Sequence, residues 1–127
     1  MERRTRGRKP GHEAVVILSA YPRGGVARRA ALALVRDRIL ACATVSAPAR
    51  AVYVWKGREV SERSTLLWGK TTAARAEEAV RAIRESHPDQ VPEILVLPVV
   101  TGEPRYLEWL AGEVGPKRQP RRGGRRP

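Results

Sequence analysis

The residues best suited to chemistry in this chain are one cysteine and two histidines. Cys42 lies in LACATV (40–45), His87 opens HPDQVPEILVLPV (87–99), and His12 lies near the N-terminus. Thiolates, imidazoles and carboxylates are the ligands that copper and zinc prefer in proteins. The chain has no CxxC pair, no HxxxH pair and no acidic cluster of the calcium-binding type. One chain therefore cannot supply a complete soft-ligand site.

Each candidate ligand also has a purely structural interpretation. Cys42 has the size and character of a buried strand residue. His87 precedes Pro88 at the predicted end of a helix, where it can meet the last carbonyl groups and the negative end of the helix dipole. Glu93 opens the predicted strand over 93–100, directly after Pro92, and is either a site group or the ion-pair partner of Lys70. The sequence leaves these alternatives open.

Catalysis finds little support in the residue pattern. Nucleophilic catalysis needs a base within hydrogen-bond reach, and His87 is the only histidine away from the N-terminal margin. The stretch PRGGVARR (22–29) has two glycines but neither P-loop nor dinucleotide-binding spacing. We therefore interpret the protein as a non-enzyme.

The basic charge of the chain is concentrated at its two ends. The formal net charge is +12, yet residues 11–116 hold 14 basic and 12 acidic side chains. Residues 1–10 hold five basic residues and one acid, and residues 117–127 hold six basic residues and none. Such Gly/Pro/Arg-rich segments are typical of disordered tails, which attract nucleic acid only weakly and in a salt-dependent way. The sequence predicts tails over 1–12 and 116–127 around one domain over 13–115.

The compartment is predicted from cysteine usage and from the short apolar runs. A single cysteine excludes an intrachain disulfide, so folding does not need an oxidising compartment. The first apolar run, AVVIL (14–18), is too short for a signal peptide or a membrane span. We expect a cytoplasmic protein with no membrane contact.

The elements that must position the candidate groups follow from hydrophobic periodicity. Apolar runs predict strands over 13–22 and 93–100, and spacings of three and four residues predict helices over 25–41 and 73–86. Between them, CATVSAPARAVYVW predicts a strand with a kink or bulge near Pro48, and VSERSTLLWGKT predicts its returning partner. A short helix closes the chain over 102–114, with Pro104 near its first turn. The order β-α-β-β-α-β predicts an α+β, ferredoxin-like sandwich: one antiparallel sheet with helices on one face.

Six short stretches also carry a resemblance to a known family. They are LACATV (40–45), YVWKG (53–57), Lys70–Thr71, HP (87–88), VPEILVLPV (91–99) and GEPRYLEWL (102–110). With the order of elements they make residues 13–114 resemble CutA, the divalent-cation tolerance proteins, which are relatives of the trimeric PII signalling proteins. The resemblance implies a homotrimer, in which strands of neighbouring subunits extend one another's sheets. It also implies cytoplasmic binding of copper or other divalent metal ions.

The chain departs from this family at several soft-ligand positions. Ser19 and Ala82 stand where some bacterial members carry thiols, and Ser86 stands where they carry a histidine. Asp89 replaces a tyrosine that often follows the HP pair. What remains is a weaker metal site, with ligands drawn from four candidates: Cys42, His87, Asp89 and Glu93.

The aromatic residues suggest a second use of the subunit interface. Tyr53, Trp55 and Trp68 are predicted in the core or at an interface, and Tyr106 and Trp109 are predicted to pack the last helix onto the sheet. The alternative is a PII-like pocket between subunits for a small anionic ligand, since PII relatives bind anions in such clefts. The groups that would line it are Lys70, Tyr53, Trp55 and Trp109.

Overall fold

The structure is a computed structural model that describes residues 11–115, which form five strands and three α-helices. The predicted tails therefore lie outside the described residues, apart from Gly11 and His12. The predicted order of elements is confirmed, with the kinked second strand divided into two. The elements are β1 (Ala14–Tyr21), α1 (Gly24–Arg36), β2 (Cys42–Val45), β3 (Ala49–Trp55), β4 (Arg58–Thr72), a 3₁₀ turn (Ala73–Arg75), α2 (Ala76–Ser86), β5 (Ile94–Pro98) and α3 (Pro104–Glu113).

The sheet has the strand order β2-β4-β1-β5, with every neighbouring pair antiparallel. The central strand β1 pairs with β4 on one side and with β5 on the other, so that Ile17 lies between Gly69 and Val96. This order confirms the predicted α+β, ferredoxin-like fold. The edge strand β5 ends at Pro98, a residue that cannot donate to a sheet ladder.

One face of the sheet carries the main hydrophobic core. Alternate residues of β1 point to the same face, and there Val15, Ile17 and Tyr21 pack with α1 and α2. Ala27 and Leu34 of α1 are buried against them, as are four further side chains of the cluster from other elements: Leu40, Leu67, Ala79 and Ile83.

The opposite face is only partly covered, by α3. Leu107 and Leu110 pack there on Ala14 and Ala41, with Tyr106 and Trp109 against the same cluster. The two helices of the β-α-β-β-α-β order share one face, as predicted, whereas the closing helix α3 covers the other. The amphipathic stripe of α3 does not specify which sheet face it covers. Beyond the reach of α3, this face exposes three large apolar side chains: Trp68, Leu95 and Leu97.

The strands β3 and β4 leave the sheet together as a two-stranded ribbon. β4 is 15 residues long; its C-terminal half pairs with β1 and β2, and its N-terminal half pairs with β3 alone. Between the β2 and β3 pairings, residues 46–48 face only residues 65–66, which is one residue too many for a regular ladder. The predicted bulge near Pro48 is confirmed.

The helix α1 ends at Arg36, five residues before the predicted end. Arg38 takes a φ of 59°, and Ile39 and Leu40 both donate their backbone N–H groups to Leu34 O. A left-handed residue ends a helix in this way. The apolar pattern of the sequence continues past Arg36, because Ile39 and Leu40 are buried in the core although they lie beyond the helix.

Arg38 also joins this turn to the end of α3. Its Nε donates to Glu113 O at 2.8 Å and its Nη2 to Gly112 O at 2.7 Å. A guanidinium at a helix C-terminus satisfies orphan carbonyls and complements the helix dipole.

We expect Arg38→Gln to lower the free energy of unfolding by about 1–2 kcal/mol, because two charge-assisted hydrogen bonds to the end of α3 are lost. Urea unfolding monitored by circular dichroism measures the loss. The matched control is Arg36→Gln, an exposed arginine two residues earlier, which we expect to change stability by less than about 0.5 kcal/mol. Equal losses in the two variants would contradict the role of Arg38.

Among residues 11–115, no helix combines the length and the apolar character needed to cross a bilayer.

Candidate functional site

A cavity of about 440 Å³ lies where the β3–β4 ribbon leaves the sheet, and we call it the ribbon pocket. The ribbon forms one wall of the pocket, and the loop that joins α2 to β5 forms another. The end of β1 contributes the remaining lining residues. Its volume falls within the range typical of small-molecule sites. The pocket is lined by Ala20, Tyr21, Pro22, Ala51, Tyr53, Trp55, Glu62, Arg63, Ser64, Asp89, Gln90, Val91 and Glu93.

Tyr21 is the most deeply buried of the lining residues, with 1% of its surface exposed. Burial raises the pKa of Tyr21 above its ordinary value of 10.0, and the nearby Ser19 hydroxyl opposes this only in part, so the phenol stays neutral at physiological pH. The Ser19 hydroxyl donates a hydrogen bond to the backbone oxygen of Glu93 at 2.8 Å. By hydrogen-bond geometry, the Tyr21 hydroxyl finds no partner among residues 11–115.

His87 packs against Tyr21, and the two rings stack with centroids 4.3 Å apart. The His87 side chain is fully buried. Its Nε2 donates to Ala20 O at 2.8 Å, and its Nδ1 accepts the backbone N–H of Asp89 at 3.1 Å. This assignment follows from the partners, because a carbonyl can only accept and an N–H can only donate. Both ring nitrogens are thus engaged, and neither lone pair is available to a metal ion.

The prediction that His87 meets the last carbonyl groups of α2 is wrong for its ring. Its backbone N–H donates to Arg84 O, as expected of a residue at the helix end. The imidazole instead turns across to β1, where it bonds to Ala20. The sequence does not show this contact because the two residues are 67 positions apart.

The carboxylates of Asp89 and Glu93 both border the ribbon pocket. Glu93 does not form the predicted alternative ion pair with Lys70 in the described part of the chain. Lys70 donates instead to Thr44 Oγ1 at 2.9 Å and to Trp68 O at 3.2 Å. The side chain of Glu93 is left facing solvent at the pocket wall.

Cys42 lies at the other end of the sheet from His87. It stands opposite Lys70 on β4, which in turn stands opposite Val16, whereas His87 bonds to Ala20. Val16 and Ala20 are four residues apart along β1, which corresponds to roughly 13 Å. Cys42 Sγ lies 3.2 Å from Tyr106 Oη, beneath α3.

The predicted aromatic lining divides between two places. Tyr53 and Trp55 line the ribbon pocket, and Tyr53 Oη donates to Glu62 Oε1 at 2.6 Å, which raises the pKa of Tyr53. Trp109 packs instead against Tyr106 in the α3 cluster, with ring centroids 5.6 Å apart. Neither Trp109 nor Lys70 borders the ribbon pocket.

Comparison with known proteins connects this architecture to a family. A family model described as CutA1 divalent ion tolerance protein matches residues 15–113. The chain belongs to the CutA family. A relative from Citrobacter koseri, named divalent-cation tolerance protein CutA, is 36% identical over 98 residues, which cover 77% of this chain and 85% of the relative.

Solved CutA structures share the fold. A divalent cation tolerance protein from Thermus thermophilus aligns with a TM-score of 0.77 at 35% identity, over 80% of this chain and 99% of that one. CutA from Xylella fastidiosa aligns with a TM-score of 0.78 at 29% identity, over 81% and 99%. A structure from Archaeoglobus fulgidus, described as periplasmic, aligns with a TM-score of 0.77 at 22% identity, over 80% and 99%, and shares the fold alone. The names of these relatives attach tolerance of divalent cations to the CutA family.

The metal ligands predicted from the sequence do not converge in this CutA chain. Among residues 11–115, no group of three or more His, Cys, Asp and Glu side chains could hold one metal ion. Cys42 lies under α3, His87 has both nitrogens engaged, and the two carboxylates border the ribbon pocket. A complete metal site made by one chain does not fit this donor set.

Sequence reasoning misses two kinds of residue in this CutA chain. The pattern does not single out Tyr21, which the structure buries in the core with His87 stacked on it. Glu62 and Arg63 are predicted only as part of a hairpin strand. Their place beside the α2–β5 loop depends on how the ribbon bends away from the sheet, which the sequence pattern does not specify.

Proposed function

We propose that this CutA chain works as a homotrimeric divalent-cation tolerance protein, which binds copper or other divalent metal ions and catalyses no reaction. The observation that carries the assembly is the open apolar face of the sheet. Trp68, Leu95 and Leu97 are exposed there although they stand on the sheet itself. Contiguous apolar surface of this kind is typical of an interface.

The free strand edges support the same assembly. β5 reads ILVLP, has no charged residue and pairs along its outer side with no other strand of the described chain. An uncharged edge strand is a template for pairing with another chain. The ribbon offers a second free edge along β3, where Val52 is 76% exposed. Two different surfaces that meet head to tail close into a ring when the rotation between copies allows it, and the kinship with trimeric PII proteins favours three copies.

The metal ion in this proposal lies between subunits. Cys42 supplies the soft ligand, and the remaining ligands come from another copy, because the described part of its own chain brings no group of three or more His, Cys, Asp and Glu side chains together. His87 is not a ligand in this arrangement, since both its nitrogens are engaged. Asp89 and Glu93 remain candidates for a separate carboxylate contact.

We expect Cys42→Ser to weaken the binding of copper and zinc at least about tenfold, because a thiolate ligand is replaced by a hydroxyl. Isothermal titration calorimetry on the full chain measures this. Thr44→Ser is the matched control, because it alters a residue of the same strand and face and retains the hydroxyl that accepts from Lys70. The proposal fails if neither metal binds at micromolar concentration or if Cys42→Ser binds both unchanged.

The alternative function, a PII-like regulator for a small anionic ligand, rests on kinship alone. Three carboxylates and one guanidinium line the ribbon pocket, so an anion would be repelled there. We place the protein in the cytoplasm, because its fold needs no disulfide.

A further inference from the structure

The outward side of α1 carries charge of one sign. The helix reads GGVARRAALALVR, with three arginines and no acid, and all three arginines are exposed: Arg28, Arg29 and Arg36. We call these three residues the arginine face. They lie on one side of the helix, because spacings of seven and eight residues correspond to about two turns. None of them forms an ion pair with another residue of the range 11–115.

The neighbouring helix α2 differs from α1 in its balance of charge. Its exposed residues include charges of both signs: Glu77, Glu78, Glu85, Arg81 and Arg84. Interspersed charges of this kind are ordinary for a solvated helix. The acid nearest to the arginine face along the chain is Asp37, which follows the last residue of α1. The arginine face is therefore more than the usual solvated side of a helix.

The placement of Arg28 and Arg29 works against the stability of α1. Arg28 Nη1 lies 3.3 Å from the place that a Cβ of Gly24 would occupy, in the first turn. Arg29 Nη1 lies 3.6 Å from the corresponding place at Gly25. Cations destabilise this end of a helix, and the first turn has no acid to offset them. An arrangement that breaks a local rule in this way is expected where function requires it.

The arginine face stays accessible in the proposed assembly. α1 packs on the sheet face that carries the main core, whereas the open apolar face with Trp68, Leu95 and Leu97 is the opposite one. Copies that join through the open face therefore leave α1 exposed, so each assembly presents the arginine face several times. Repeated presentation strengthens binding to a long partner.

The basic C-terminal segment continues from the same end of α1. The Gly115 N–H donates to Arg38 O at 3.1 Å, two residues beyond Arg36. From there the chain runs into residues 117–127, which hold six basic side chains and no acid. The folded arginine face and this segment therefore add their charge at one side of the molecule.

The spread of the charges favours an extended polyanion. Arg28 and Arg36 are eight residues apart, which corresponds to about 12 Å along the helix axis. A single phosphate group cannot contact both, whereas duplex DNA presents a charge about every 1.7 Å of its axis. Guanidinium groups bind phosphate oxygens in bidentate geometry.

The remaining residues of α1 separate duplex DNA from two other polyanions. Single-stranded nucleic acid is bound on aromatic side chains that stack with its bases, and α1 has no aromatic residue. A membrane surface is bound by a helix that inserts an apolar side, and α1 buries its apolar side in the core, with Leu32 as its one large exposed apolar residue. We propose that the arginine face binds the phosphate backbone of duplex DNA, independently of base sequence.

This proposal goes beyond the metal-binding function. The full chain is titrated in EDTA into a fluorescent duplex of mixed sequence, at salt concentrations of about 0.05–0.2 M, and fluorescence anisotropy gives the affinity. We expect the triple variant Arg28→Gln/Arg29→Gln/Arg36→Gln to bind the duplex at least about tenfold more weakly. The slope of log K against log salt should become shallower by about 2–3, because each lost phosphate contact removes about one. Its melting temperature should stay close to that of the parent protein, since no ion pair within residues 11–115 is lost.

The matched control removes the same charge elsewhere. Arg58→Gln/Arg63→Gln/Arg105→Gln alters three exposed arginines outside α1. We expect this variant to bind the duplex within about threefold of the parent protein and with the same salt slope, because it affects only the long-range field, which salt screens.

The proposal is overturned if the duplex does not bind at micromolar protein in about 0.15 M salt. It is also overturned if the α1 variant keeps the affinity and salt slope of the parent, which would assign binding to the terminal segments. Equal weakening by the two triple variants would show an effect of net charge alone and would overturn it as well. So would tighter binding of a single strand of the same length, or of phosphatidylglycerol vesicles, than of the duplex. These measurements contain no metal, so the copper titration of Cys42→Ser is decided separately.

Discussion

Leu95→Glu is expected to turn the assembly into folded monomers. Leu95 is 50% exposed in the single chain and lies on the open sheet face, where the proposed interface would bury it. The substitution removes the apolar contact and places a carboxylate in it, at a combined cost of about 3 kcal/mol per subunit. Light scattering should show a mass close to 14.1 kDa for the variant, against three times that for the parent protein.

The control for this experiment is Leu32→Glu. Leu32 is also 50% exposed, but it lies on α1, away from the open sheet face. Its replacement should leave the mass of the assembly unchanged, and circular dichroism should show that both variants are folded. A parent protein that is monomeric at micromolar concentration, or a Leu95→Glu variant that stays assembled, would contradict the proposed interface.

His87→Ala is expected to lower the free energy of unfolding by about 3 kcal/mol, equally with and without metal. The variant loses a buried aromatic ring that stacks on Tyr21 and two hydrogen bonds that link Ala20 to the start of the α2–β5 loop. Guanidinium unfolding in EDTA and in excess zinc measures both values. A ligand role for His87 would instead make the loss larger in zinc.

The second histidine provides the matched control. His12 is exposed near the N-terminus, and His12→Ala should change stability by less than about 0.5 kcal/mol in either condition. A loss in His87→Ala that appears only when zinc is present would show that the ring is a metal ligand and that its structural role is wrong.

The fold could be predicted from the sequence because each element has a clear local pattern. The apolar run of β1, the helical spacing of α2 and the bulge signal at Pro48 each reflect forces that act within a few residues. The position of α3 could not be predicted in the same way. Its apolar stripe shows that it is buried on one side, but both sheet faces are apolar, so the stripe fits either.

The candidate site is harder to predict because it depends on register. Cys42 and His87 resemble two halves of one metal site in the sequence. Strand pairing places Cys42 opposite Lys70, at the level of Val16 on β1, whereas His87 bonds to Ala20, four residues further along β1. The hydrogen-bond partner of a buried ring, such as Ala20 for His87, cannot be predicted from the sequence pattern, because the two residues are distant in the chain. Tyr53 and Trp55 are predicted in the core or at an interface, and in the single chain both are exposed on the ribbon.

The continuous strand β4 has a consequence for how the chain can change in length. Its 15 residues run from the ribbon into the centre of the sheet, with the side chains alternating between two faces throughout. Adding or removing one residue of β4 between Glu62 and the sheet would move Glu62, and every side chain from there to the tip, to the opposite face of the ribbon. Lys56 and Gly57, both with positive φ at the tip, lie beyond that constraint. Evolution can therefore lengthen or shorten the ribbon at its tip, or by two residues at a time, without disturbing what its faces present.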